Sequence, residues 1–274
     1  MALTWAVIGG WAAEQAAGAY VDYLKTIFLD DAEERRRQDR DMILHAIREL
    51  QNGALDLAIA QEINDLRAAL QGSVVTYAAY DPDPGNAVEE ERLRDLIDGL
   101  SFSIEEIGDH LDGVGPDLVV GGAVDQQEMT RRRRFAVEVW PFYTPLVLLR
   151  AQVMTEREIT YGSPEIGDIE PIFDTAVRRN ENLLAFLRAV NDRRYPGDIR
   201  SKGIGTPQSP RILYYEFDGM DVGCGLVGAP DGMQRCRDAR RVAKDRTLAE
   251  TIPVAAILVA TDQLREASDA LRNL

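Results

Sequence analysis

Between Phe135 and Met154 the chain is apolar on nearly every side of a helical wheel, and this limits what the rest of it can do. Phe135, Val137, Val139, Trp140, Phe142, Tyr143, Leu146, Val147, Leu148, Leu149, Val153 and Met154 point in almost every direction. A helix apolar all round is stable only when other elements wrap it or when it sits in lipid. The charge-free run between Glu138 and Arg150 is shorter than the ~20 residues that a resting transmembrane helix needs. The expectation is therefore a core helix enclosed by amphipathic neighbours. Asp125-Gln126-Gln127-Glu128 reads as a capping box that starts it, and Gly162-Ser163-Pro164 as its stop. Pro141 and Pro145 each remove a ladder hydrogen bond at a cost of ~3 kcal/mol. They predict a kink or a break, with Leu146 to Tyr161 as the more secure half. Arg131 to Arg134 sit where cations oppose the helix dipole. They read as a solvated, salt-bridged face, with contact to an anionic surface as the alternative.

The neighbours that such a helix demands are present. From Thr4 to about Gln51 the pattern is mostly helical. Trp5 to Gly18 is rich in Ala, Gly and aromatic residues, and Tyr20, Leu24, Ile27 and Phe28 continue an apolar stripe. Small residues let helices approach closely, in water or in a membrane. Asn52-Gly53 reads as a stop, although an unbroken rod through Gly53 is the alternative. A second helix is expected from about Ala54 to Tyr80, with Ile59, Ile63, Leu66 and Leu70 in a four-three seam. Asp81 to Gly85 is a loop, and Asn86 with Glu89 opens the next helix as a capping-box variant. In that helix Leu93, Ile97, Leu100, Ile104, Ile107 and Leu111 form an uninterrupted stripe, while the other faces are acidic. The linker from Gly113 to Ala123 is glycine-rich and apolar. A further helix is expected from about Ile169 to Arg194. Arg211 to Phe217 is the one convincing strand, in a short hairpin to about Val227. Thr247 with Glu250 reads as the start of a last helix that ends near Leu271. The fold expected is mainly α: a bundle of about six helices around an apolar centre, with one small β-hairpin. It reads as a single domain, 1–274, elaborated at about 196–244.

Composition excludes some functions. A net charge of −15 and a pI near 4.6 argue against nucleic acid as a partner, because a phosphate backbone wants a basic footprint. Cys224 and Cys236 are either free thiols or one local staple. The apolar N-terminus lacks a basic region and a cleavage context, so no secretory signal is expected. The expectation is cytoplasmic synthesis, with release by lysis or by a dedicated export machine. His45 and His110 lie far apart, without metal-ligand spacing, and each reads as a surface or satisfied histidine. Gly219 to Gly232 lacks the context of a phosphate-binding loop. Catalytic, cofactor and metal sites are therefore all expected to be none, and the chain is not expected to be an enzyme.

The segment Pro145-Leu-Val-Leu-Leu-Arg-Ala-Gln-Val-Met-Thr-Glu-Arg-Glu-Ile-Thr-Tyr161-Gly162 resembles the central helix of the helical domain of three-domain insecticidal delta-endotoxins. In that family a Leu-rich helix ending near an aromatic-Gly pair is surrounded by amphipathic helices, and it forms a membrane-entering hairpin with the helix before it. The chain has no length for the two β-rich domains that follow in the family. Pro141 and Pro145 also interrupt the helix upstream, and the looser resemblance, to all-helical pore-forming toxins in general, survives these departures better. It implies a soluble bundle that refolds on a membrane and needs no catalytic residues. The first arm of the hairpin would be Asn86 to Asp112, with Asp95, Asp98, Glu105 and Asp109 as pore-lining carboxylates. Membrane contact is expected from the apolar linker, at Val114, Leu118, Val119, Val120 and Val124, and from Trp5 and Trp11. The partners implied are membrane lipid or a receptor on a target cell, with either a protein partner or a homo-oligomer besides. The competing expectation is a non-enzymatic helical scaffold, adaptor or injected cargo that acts by binding another protein.

Overall fold

The computed structural model describes residues 2–26, 32–54, 61–115, 126–203, 211–251 and 254–273. Helix accounts for 77% of it, so the chain is a mainly α protein with a small antiparallel sheet. Among the described residues there are eight α-helices: α1 (Ala2–Thr26), α2 (Ala32–Ala54), α3 (Gln61–Ala78), α4 (Ala87–Asp112), α5 (Gln126–Tyr161), α6 (Ile169–Arg193), α7 (Gly232–Thr251) and α8 (Val254–Arg272). The strands are β1 (Arg200–Gly203), β2 (Arg211–Phe217) and β3 (Met220–Leu226).

Helix α5 is the axis of the bundle. At 36 residues it is about 54 Å long. Every residue from Val139 to Leu149 and from Ala151 to Glu156 is buried. Helices α1, α2, α4, α6 and α8 all pack against it. Of the kink or break expected at Pro141 and Pro145, the break does not occur: the helix runs through both prolines. Each proline leaves the carbonyl four residues back without its helical donor. Both rings are themselves buried, and packing on every side holds the helix together across the two missing rungs. At the far end Gly162 adopts φ +75° and its N–H donates to the Glu158 carbonyl at 2.8 Å, an αL cap that only glycine enters without strain. The capping box at Asp125 lies outside the described residues.

Helix α4 lies antiparallel to α5. Near its start, the Glu90 carboxylate accepts from Arg157 and from Ser163 close to the end of α5. Beyond its end, the Gly113 carbonyl accepts from Arg132. All six stripe residues, Leu93 to Leu111, are buried. Asn86 caps α4 as expected, its Oδ1 accepting from the Val88 N–H at 3.0 Å. The reciprocal half of the box is absent: the Asn86 N–H goes to the Asp83 carbonyl, and Glu89 pairs with Arg92. In α3, Leu70, Val74 and Tyr77 carry the seam inward, while Ile59 lies outside the described residues. Helix α2 runs past Gly53 to Ala54. Continuity between α2 and α3 falls on residues outside the description.

The C-terminal third departs most from expectation. The hairpin of β2 and β3 forms, closed by Asp218-Gly219 with φ 49° and 79°, the twin positive values of a two-residue turn matched to strand twist. It has a third strand, β1, paired antiparallel to β2. The segment after the hairpin is not loop. Residues 232–251 form α7, which packs on β3 and β2. Thr247 is therefore no N-cap: its hydroxyl donates to the Ala243 carbonyl inside α7. The expected last helix begins instead at Val254. Cys224 and Cys236 form a disulfide between β3 and α7, with Cα atoms 4.9 Å apart. Tyr195, Leu213, Tyr215 and Cys236 form a second, small core beside the main one.

Two glycines of α4 test this packing. A Cβ on Gly99 would meet open space, whereas one on Gly108 would strike the Arg179 guanidinium, which bridges Asp112 and Tyr143. Gly99→Ala is expected to stabilise the fold by about 1 kcal/mol, the helix-propensity gain. Gly108→Ala is expected to lose that gain and to lower stability, because it displaces Arg179. Urea unfolding of the two variants decides it.

Candidate functional site

The pore-lining candidates Asp95, Asp98, Glu105 and Asp109 are all exposed on α4, on the side away from its buried stripe. They form an acidic outer surface for the α4–α5 hairpin. On the neighbouring helix, Arg150 is half-buried, and Glu105, Glu165, Asp98 and Asp168 lie close enough to favour its charge. Burial nevertheless pushes the Arg150 guanidinium below its ordinary range.

The membrane-contact candidates separate. Leu118, Val119, Val120 and Val124 lie outside the described residues. Val114 is buried at the end of α4. Trp11 is at the margin of exposure and meets the His45 ring edge-on at 6.3 Å. Of Trp5 only the helical backbone is described. His45 and His110 are both exposed.

The structure adds a feature that the sequence reading missed. Inside the apolar α5 runs a buried polar stripe: Thr144, Gln152, Thr155 and Glu156. Thr155 and Glu156 face α1. The Tyr20 hydroxyl lies 3.2 Å from the Thr155 hydroxyl, and the Tyr23 hydroxyl donates to Glu156 Oε2 at 2.8 Å. Thr160 donates to Glu156 Oε1 at 3.1 Å, and Arg36 of α2 approaches that oxygen at 4.0 Å. Arg40 lies over the Tyr77 ring, its guanidinium carbon 5.6 Å from the centroid, and it donates to the Tyr80 carbonyl. One carboxylate thus gathers α1, α2 and α5 at one end of the bundle, and the arginine–tyrosine contacts bring α3 into the same knot. A narrow cleft lined by Arg36, Arg37, Arg40, Pro82 and Glu156 opens onto it. Gln152 and Thr144 are fully buried, and their side-chain polar atoms find no hydrogen-bond partner among the described residues. Leaving a buried polar group unpaired costs about 1–3 kcal/mol. The legible signal was the spacing of Gln152, Thr155 and Glu156, one helical turn apart within an apolar run.

Among the described residues no group of His, Cys, Asp and Glu is placed to hold a metal ion. The tyrosines around Glu156 are held protonated. Burial pushes the phenols of Tyr20, Tyr23, Tyr77 and Tyr80 well above their usual range, and the Glu156 charge adds to this for all but Tyr20. What the cluster does is fasten α5 to its neighbours through polar contacts within an apolar core.

Comparison with known proteins finds no matching family, no matching curated protein and no matching solved structure.

The tyrosines give this fastening a pH signature. Each keeps its proton in the folded chain to a pH above the value of 10.0 at which it ionises when unfolded. Their contribution to stability is therefore complete below about pH 10 and is lost as pH rises further. Ionisation of these four phenols is expected only above about pH 10, together with loss of helical circular dichroism. Ionisation of all nine tyrosines in one phase with the helix intact would contradict the assignment.

Proposed function

We infer that the chain is a membrane-active helical protein of the pore-forming kind. The observation that carries this reading is the state of α5: a long helix, apolar on most sides and enclosed by five others, whose buried polar stripe is only partly satisfied. The closed bundle hides apolar surface that another apolar phase could receive. It also carries a polar cost that opening would relieve. The antiparallel α4–α5 hairpin supplies the two surfaces that an inserted element needs, one apolar and one rich in carboxylates. Among the described residues no helix is long and apolar enough to cross a membrane. Insertion therefore belongs to an oligomer, in which α5 turns its apolar sides to lipid. Asp95, Asp98, Glu105 and Asp109 line a water-filled lumen, where intramembrane charge is tolerated and selects cations. The resemblance of residues 145–162 to the central helix of the delta-endotoxin helical domain supports the same reading. So does the disulfide, which persists in oxidising surroundings outside a cytoplasm.

The experiment is dye release from liposomes between about pH 4 and 9, followed by conductance in planar bilayers under a salt gradient. Wild type is expected to permeabilise vesicles and to pass cations. Charge reversal at exposed positions away from Arg150, Asp95→Lys with Asp109→Lys, is expected to shift selectivity toward anions. Vesicles that never leak, or a selectivity that both reversals leave unchanged, would contradict the proposal. A stoichiometric protein partner recovered from target cells, with vesicles left intact, would point to the scaffold alternative.

A further inference from the structure

The small β/α unit carries a different electrostatic character from the bundle. The whole chain has a net charge of −15, yet between residues 193 and 246 cations outnumber carboxylates. Several of these cations are consumed in ion pairs: Arg194 with Asp218, Lys202 with Asp221 and Lys244 with Asp192. Arg211, Arg235 and Arg237 are exposed and make no ion pair among the described residues. All three lie near the corner where β3 turns into α7, with Arg235 and Arg237, two residues apart, on opposite flanks of that helix. Arg211 pairs with this turn through the Val227 N–H, which donates to its carbonyl at 2.8 Å. Arg235 is in the first turn of α7, and Arg237 lies one turn beyond Met233.

The same corner exposes large apolar side chains. Leu226 is 46% exposed, Val227 47% and Met233 44%. Single exposed hydrophobics need no explanation, but three around one turn, rimmed by unpaired cations, do. The corner is also held rigid. The disulfide ties β3 to the first turn of α7, and Gly232 has no side chain because a Cβ there would lie 2.6 Å from the Leu226 carbonyl oxygen. Asp231 is the one carboxylate within the turn from Leu226 to Met233.

We propose that this corner is the membrane-docking surface of the protein, and that it binds anionic lipid: Leu226, Val227 and Met233 enter the interface while Arg211, Arg235 and Arg237 meet the headgroup phosphates. The proposal rests on the membrane-active reading above and names the surface that makes first contact. Apolar side chains between cations suit a lipid interface, where each class of side chain has its own layer. An acidic protein surface would satisfy the arginines and leave the apolar trio facing polar groups. The charge asymmetry sets the orientation. At first contact an anionic bilayer repels the acidic α4 face and attracts this corner, and the attraction acts within a Debye length of about 8 Å at physiological salt.

The test is co-sedimentation of the full chain with phosphatidylglycerol–phosphatidylcholine vesicles and with pure phosphatidylcholine vesicles, with dye release read on the same samples. Wild type is expected to bind the anionic vesicles at least about tenfold more tightly, and to lose that preference at high salt. Arg211→Glu with Arg237→Glu is expected to abolish the preference, and Arg211→Lys with Arg237→Lys to retain it. Leu226→Ser with Met233→Ser is expected to weaken binding to both vesicles. Circular dichroism and urea unfolding confirm that each variant is folded. Variants that bind as wild type does, or a wild type that ignores both vesicles, overturn the docking proposal. Wild-type binding without dye release leaves docking standing and removes the pore reading instead.

Discussion

The structure depends on the enclosure of one helix. From Val139 to Leu149 helix α5 has no face that water can be given, so its neighbours α1, α2, α4, α6 and α8 bring apolar side chains to it. That requirement explains the uninterrupted seam of α4 and the alanine-rich inner face of α1, where Ala12, Ala13, Ala16 and Ala17 let the backbone come close. It also explains why two prolines are tolerated. An isolated helix would break at Pro141, but here the alternatives all expose apolar surface, and burial of each large side chain is worth roughly 1.5–3 kcal/mol.

Where packing is apolar and repetitive, the sequence was informative. The α4 stripe, the glycine stop at Gly162, the loop before Asn86 and the β2–β3 hairpin all follow from local chemistry acting alone. Helix α7 was hidden because its buried face is small: Cys236 and part of Ala243 lean on the sheet, Leu248 reaches the main core, and most other positions are charged or exposed. Its Ala, Arg, Gln and Lys content favours helix, yet no apolar period announces it. Strand β1 was hidden for a similar reason. Arg200, Ser201 and Lys202 pair with β2 through backbone bonds and bring no apolar side chain with them. Thr247 misled because a threonine three residues before a glutamate looks the same inside a helix as at its start.

The candidate site was legible in halves. Asp95, Asp98, Glu105 and Asp109 were recognisable as a solvent-facing acidic side, because a helix with one apolar stripe leaves its other faces to water. The Glu156 cluster was not, since its members come from four helices and their approach depends on tertiary packing. The same polar knot makes α5 a helix fastened at one end by hydrogen bonds and along its length by apolar contact. In the proposed mechanism these two kinds of fastening fail under different conditions. Polar contacts yield to changes in protonation and to competing headgroups, and apolar contacts yield only when another apolar phase is at hand.

The most direct measurement follows Trp140. It lies on α5, is 1% exposed and donates its indole N–H to Asn180 Oδ1 at 3.0 Å. In a Trp5→Phe, Trp11→Phe background it is the sole tryptophan, and its fluorescence reports where α5 is. Vesicles carrying spin-labelled acyl chains quench only fluorophores that enter the hydrocarbon. If α5 leaves the bundle for the bilayer, Trp140 emission is quenched by these lipids under the conditions that release dye, and with the same time course. If dye escapes while Trp140 stays unquenched and buried, the central helix never leaves its enclosure, and the account is wrong at its centre.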